Sequence, residues 1–117
     1  MAYVSRIDSA DFEPFPRPDD PTLSAGEIAW IVPGEVAFWR ADEGTMSVVA
    51  PYPFVRSEVV HVIEGAVRIT TEDGDEAVLN TGDVGLFDAG IQSMWEFTFP
   101  FAKLSVLPIR SRTSSSN

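Results

Sequence analysis

The chain has no cysteine and a single histidine among its 117 residues. Without cysteine there is no disulfide, no thiolate nucleophile and no cysteine-based metal site, and cysteine usage leaves the redox compartment undetermined. Basic residues are scarce: eight Lys and Arg stand against eighteen Asp and Glu, a net charge of −10. Such a surface repels nucleic acid and anionic membranes, so neither is expected as a partner. No stretch approaches the ~20 apolar residues of a membrane helix. The opening Met1-Ala2-Tyr3-Val4-Ser5-Arg6 lacks the basic start and apolar run of a signal peptide. The simplest expectation is a soluble cytoplasmic protein. No window carries a helical apolar period of useful length, and no dinucleotide-binding motif is recognisable, which argues against redox chemistry and against a cofactor.

What is present suits one small domain. The 44% apolar composition is ordinary for a packed core, and a domain of this length buries roughly two-thirds of its unfolded surface. Residues 1–23 hold Pro14, Pro16, Pro18 and Pro21. Proline lacks an amide hydrogen, so this stretch is neither helix nor central strand; it reads as an extended arm lying over the domain or over a partner subunit. Residues 111–117, Ser-Arg-Thr-Ser-Ser-Ser-Asn, hold no large apolar side chain and read as a disordered tail. The domain proper is residues 24–110.

Within it, short apolar segments are broken by turn residues at intervals near ten. Val36-Ala37-Phe38-Trp39 is continuous, as in a strand buried on both faces. Met46, Val48 and Ala50 share one parity. Val59 to Ile63 leads to Glu64-Gly65, and Val67, Ile69 and Thr71 alternate up to Asp73-Gly74, a strong hairpin signal. Ala77 to Leu79, Val84 to Phe87, Trp95 to Phe99 and Phe101 to Leu107 complete the series. Many short strands with such spacing predict an all-β sandwich or barrel.

The punctuation is more specific. Glu58 precedes Gly65 by six intervening residues; after sixteen further intervening residues comes Gly82-Asp83, then Asp88-Ala89-Gly90, with Trp95 five residues beyond. This ordered set resembles the two cupin motifs, the first ending in a glutamate and turn glycine, the second running from glycine across five residues to proline, any residue and glycine. Asp88 replaces that proline. The likeness spans about residues 30–107 and is nearest to the small cupins related to ureidoglycine aminohydrolase and the ethanolamine-utilisation cupin. It implies a single-domain RmlC-like jelly-roll barrel with the proline-rich arm attached. Gly65, Gly82 and Gly90 then fall where strands turn sharply, and Asp83 can bond nearby backbone amides.

The resemblance also implies a metal site, and here the sequence departs from it. The two histidines before the glutamate would fall at Pro51 and Pro53, or at Tyr52 and Phe54; the third position is Ser93. Of the four ligands only Glu58 remains, and one carboxylate cannot hold a transition metal tightly. No metal is expected. His61, the only histidine, has the opposite strand parity to Glu58 and points away from the lumen.

With Glu58 inward, Arg56 and Val60 share its face, as Trp95 and Phe97 share that of Ser93. Tyr52 and Phe54 lie on the approach, subject to a bulge that would flip them. Trp30 and Trp39 read as packing. The expected small-molecule site is therefore Tyr52, Phe54, Arg56, Gln92, Ser93, Trp95 and Phe97, with Glu58 as catalytic acid or base in non-redox proton-transfer chemistry (isomerisation, cyclisation, elimination or amide hydrolysis). Two states of Glu58 stay open. Paired with Arg56 it is ionised with a lowered pKa; unpaired, desolvation raises the pKa. The functional expectation is a metal-independent cupin binding a small polar or aromatic metabolite. Its alternatives are a non-catalytic ligand-binding or scaffold module, and a metalloenzyme with unusual ligands including Glu58. Because an open jelly roll leaves strand edges to cover, a homodimer is expected.

Overall fold

In the computed structural model, which describes residues 3–17 and 20–108, the alternating segments form eight antiparallel β-strands and no α-helix. A 3-10 turn at Ile7–Ser9 precedes β1 (Glu13–Pro16), β2 (Ser24–Val32), β3 (Val36–Ala41), β4 (Val49–Pro53), β5 (Glu58–Thr71), β6 (Glu76–Asn80), β7 (Val84–Phe87) and β8 (Gln92–Val106). The strand order is β1-β2-β3-β8-β5-β6, with β4 added to β8 and β7 added to β5.

Two long strands, β5 and β8, hold this arrangement together by serving both layers. The start of β5 pairs with residues 102–106 of β8, and its end pairs with residues 93–98. One layer is therefore β2-β3-β8-β5-β7, built on the C-terminal part of β8, and the other is β4-β8-β5-β6, built on its N-terminal part. Sharing strands between two packed layers is how a jelly roll turns its corners.

The corner lies at Gly65, where the sequence predicts a turn that ends a strand. Instead β5 runs through it as a bulge, with register shifts on either side of Glu64. Gly65 has φ +74°, and an added Cβ would strike the backbone carbonyl oxygens of Thr98 and Pro100. Only glycine lets the two chains approach this closely. The bulge also resets parity: Glu58, Val60 and Val62 are buried before it, Val67 and Ile69 after it. A second expectation is met at Asp83, which accepts the Asn80 amide at 2.8 Å. The Asp73-Gly74 hairpin joins β5 to β6, with Gly74 at φ +93°.

Between the layers lies one apolar core that includes Trp39, Phe54, Val60, Ile69, Trp95, Phe97 and Phe101. Complete burial of each large side chain stabilises the fold by about 1.5–3 kcal/mol, so this cluster is the main source of stability. The arm lies over its own chain. β1 pairs with the edge of β2, the Arg40 guanidinium stands 3.7 Å from the centre of the Phe12 ring, and residues 4–11 run beside Ala29 and Trp30. Underneath, Ala29 and Phe38 are buried on the outer face of the sheet, which is why the run at Val36–Trp39 is apolar on both sides. Trp30, expected to be packing, is instead 41% exposed. The tail at 111–117 lies outside the described residues.

Candidate functional site

Strand parity selects the side chains that meet inside. On β5, Glu58 leads the inward series. On β8, the inward set beginning at Ser93 and Trp95 continues past the corner to Phe101, Lys103 and Ser105. The register of β5 and β8 sets Val60 opposite Ser105, which brings Lys103 and Ser105 to Glu58. On β4, Tyr52 is paired with Ser93 and comes in from the other layer.

These residues form a closed polar cluster in an aromatic surround. The Lys103 ammonium donates to Glu58 Oε2 at 2.5 Å and to the Tyr52 hydroxyl at 3.1 Å. The Tyr52 hydroxyl in turn donates to Glu58 Oε1 at 2.6 Å, and Ser105 Oγ donates to Oε2 at 2.8 Å. Glu58 and Lys103 are 3% and 2% exposed, so the ion pair is sealed from water, while Tyr52 is only partly buried. The ammonium also lies 4.8, 4.9 and 5.4 Å from the ring centres of Tyr52, Trp95 and Trp39, where the negative π faces favour a cation. Tyr52 is stacked on Trp95 at 4.3 Å and meets the edge of Phe54 at 5.0 Å. Ser93 secures this wall: its hydroxyl donates to the Tyr52 carbonyl at 2.6 Å and accepts the Trp95 indole N–H at 3.0 Å.

The electrostatics follow from burial set against pairing. Burial works to raise the Glu58 pKa, but the charge of Lys103 and the hydrogen bonds from Lys103, Tyr52 and Ser105 outweigh it, and the carboxyl stays below its usual range. Burial likewise disfavours the Lys103 ammonium, and the Tyr52 oxygen and Glu58 carboxylate reverse that, raising its pKa. Tyr52 is pushed up to about 12, chiefly by burial. At neutral pH the cluster is thus a carboxylate, an ammonium and a neutral phenol.

Of the residues singled out from the sequence, Tyr52, Glu58, Ser93 and Trp95 come together here. Phe54 is buried against Tyr52 and stacks on Phe87 at 4.7 Å. Phe97 packs elsewhere in the core, between Trp39 and Phe99. Two others are elsewhere. Arg56 is exposed and does not pair with Glu58; its guanidinium donates to the carbonyls of Gly34 and Leu107 at 2.6 and 3.0 Å, tying the β2–β3 turn to the end of β8. The strand begins only at Glu58, so parity does not reach back to Arg56. Gln92 is exposed at the start of β8. The interior is also fuller than expected: where the sequence suggests a cavity, Tyr52, Trp95, Phe54 and Phe101 occupy the space. His61 is on the outer face of β5, as its parity requires.

Lys103 and Ser105 escape the sequence reading. A signal for them exists: both share the parity of Trp95, and Lys103 is the only charge in the apolar run from Phe101 to Leu107. A transition metal does not fit this site. Both Glu58 oxygens are engaged, the nearest charge is a cation, and among the described residues no group of three or more His, Cys, Asp or Glu side chains is placed to hold an ion. Lys103 supplies in covalent form the positive charge that a metal would bring.

Residues 49–104 match the family model described as the EutQ-like cupin domain. A DUF861-family protein of Thermotoga maritima shares 28% identity and superposes with a TM-score of 0.54 over 61% of this chain and 76% of that one. A cupin-2 domain protein of Shewanella frigidimarina, at 15% identity, gives 0.53 over 69% and 78%. The cupin domain of Drosophila melanogaster CENP-C, at 14% identity, gives 0.64 over 91% and 75%. The last two likenesses concern the fold alone. No curated protein matches the chain significantly. Among the described residues no helix is long and apolar enough to cross a membrane.

Proposed function

We propose that this chain, a member of the cupin superfamily, is a metal-independent binding protein for a small polar or aromatic metabolite, which displaces Tyr52 and is recognised by Glu58 and Lys103. The observation that carries this reading is the buried ion pair bridged by the hydroxyl of a tyrosine that is itself only partly buried. Burying a charged pair adds little net stability, because desolvation cancels most of the attraction. A core of this size would fold at least as well with apolar residues there. The cluster therefore has its rationale in recognition.

The ligand class follows from what Tyr52 does now. Its hydroxyl donates to Glu58 and accepts from Lys103 while its ring stacks on Trp95. A ligand that takes its place needs a neighbouring donor and acceptor, as in a hydroxyl or amide, on a compact planar body. β4 pairs only with β8 among the described strands and holds prolines at 51 and 53, so Tyr52 sits on the edge strand, where displacement disturbs the fewest backbone bonds. Glu58 suits binding better than general catalysis: a carboxyl held below its usual range is a weak base at neutral pH.

A thermal-shift screen of small hydroxy- and amido-substituted aromatics tests this. Binders should stabilise the wild-type chain and fail to stabilise folded Lys103→Met. A screen in which no compound of this class shifts the wild type, or in which the variant responds equally, overturns the reading.

A further inference from the structure

The hydroxyl of Tyr52 completes a ring of complementary groups. It donates to Glu58 Oε1 and accepts from the Lys103 ammonium, while Lys103 and Ser105 both donate to Oε2. Removing the phenol opens two adjacent positions, an acceptor on Oε1 and a donor on Nζ, and leaves the ion pair and the Ser105 bond in place. Among the described residues Glu58 and Lys103 are the only charged side chains that are buried, and their charges cancel. Arg56, the cation nearest in sequence, is exposed and engaged by the carbonyls of Gly34 and Leu107.

Building on the displacement of Tyr52 proposed above, we infer that the Glu58–Lys103 pair is a charge filter: it admits only an uncharged group in the position of the Tyr52 hydroxyl, Glu58 excluding carboxylates and phosphates and Lys103 excluding amines. Hydrogen bonding requires this. A hydroxyl or a primary amide presents a donor beside an acceptor and satisfies both open positions. A carboxylate only accepts, so one of its oxygens would face Oε1 with no proton between them. An ammonium only donates and would leave a Lys103 N–H without an acceptor. Buried polar groups left unpaired are what reject a near-isosteric ligand most strongly. Net charge requires it as well. An uncharged group in place of the phenol keeps the interior neutral. Either ion would add an uncompensated charge beside Phe54, Trp95 and Phe101, where its lost hydration is not offset. Shape adds the ring, since the space that Tyr52 fills lies against Trp95 at 4.3 Å and the edge of Phe54 at 5.0 Å.

Tyr52→Ala vacates the position without any strand having to move, and probes of one ring size then read the filter: phenol and benzamide, uncharged at neutral pH, against benzoate and benzylamine, which are ionised. Calorimetric titration of Tyr52→Ala should show both uncharged probes binding, and both ions binding ~100-fold more weakly or not at all, as for an uncompensated buried charge. Should the variant not fold alone, refolding with each probe reads the same order: phenol and benzamide restore the native circular dichroism spectrum and the ions do not. Adding Glu58→Gln should reverse the preference, because benzoate then supplies the only anion for Lys103. Benzoate that binds Tyr52→Ala as well as benzamide does overturns the inference. So does an order that Glu58→Gln leaves unchanged, or a variant that neither binds nor refolds with any of the probes. If Tyr52→Ala discriminates as expected while the wild type binds neither phenol nor benzamide, the filter stands and the displacement of Tyr52 falls.

Discussion

Lys103 and Glu58 are opposite charges 2.5 Å apart in the interior of a domain that otherwise packs rings and branched aliphatics. They come from the two long strands that join both layers, so the ion pair lies across the seam of the fold. Each charge is tolerable only because the other is there. Removing one member should therefore cost much more than removing both. Glu58→Gln or Lys103→Met alone should destabilise by about 3–5 kcal/mol, as an orphaned buried charge does. The double variant should be more stable than either single one, so that the two losses are far from additive. Urea denaturation of the four proteins measures this, and additive losses would show that the two side chains do not interact.

The same pair fixes the shape of the pH–stability curve. Glu58 has a folded pKa below its ordinary 4.5, so its contribution is complete above that value and is lost as pH falls through the lowered one. Lys103 is raised above 10.5; its contribution is complete below that value and is lost as pH rises. Tyr52, raised from 10.0 to about 12, adds a loss across that same interval. Stability should be flat between about pH 5 and 10 as far as these groups are concerned, and should fall on both sides. Melting temperatures across the range read this directly, and Lys103→Met with Glu58→Gln should flatten the acid flank and leave the alkaline one with the Tyr52 share alone.

How much of this was legible beforehand depends on period and register. The glycine and aspartate spacing from Glu58 to Gly90 resembles the cupin motifs, and that resemblance implies the barrel. Inward parity correctly groups Glu58, Ser93 and Trp95. It fails at the corners. The bulge at Gly65 lengthens β5 through what reads as a turn, and β2, with its mixed small and large residues, offers no clean alternation. Arg56 is two residues from Glu58 and is the obvious partner on paper, but it precedes the strand. The true partner is 45 residues away, and only the pairing of β5 with β8 brings it near.

Tyr52→Phe should separate the phenol from its ring. The stacked contact with Trp95 survives, while Glu58 loses a donor and Lys103 an acceptor. A loss of about 1–3 kcal/mol is expected for buried partners left short. An alkaline difference spectrum between wild type and variant should show no tyrosinate from Tyr52 below pH 10. Ionisation at an ordinary tyrosine pKa would mean that the phenol is not held in the cluster.

Gly65 carries the last prediction, because it tests the corner on which the whole site depends. Its φ of +74° costs an L-residue roughly 1–2 kcal/mol in backbone conformation alone. The greater penalty is steric. An alanine Cβ would meet two backbone oxygens, those of Thr98 and Pro100, which cannot rotate away as a side chain would. Relief requires β5 and β8 to separate at the bulge, and these are the strands that present Glu58, Lys103 and Ser105 to one another. Gly65→Ala should therefore destabilise by ~3 kcal/mol or more, or prevent folding. Gly74→Ala, at a comparable φ of +93° but with nothing within 4 Å of the added carbon, should cost only the conformational share. Equal losses at the two positions would show that the close approach of β5 to β8 at this corner contributes nothing.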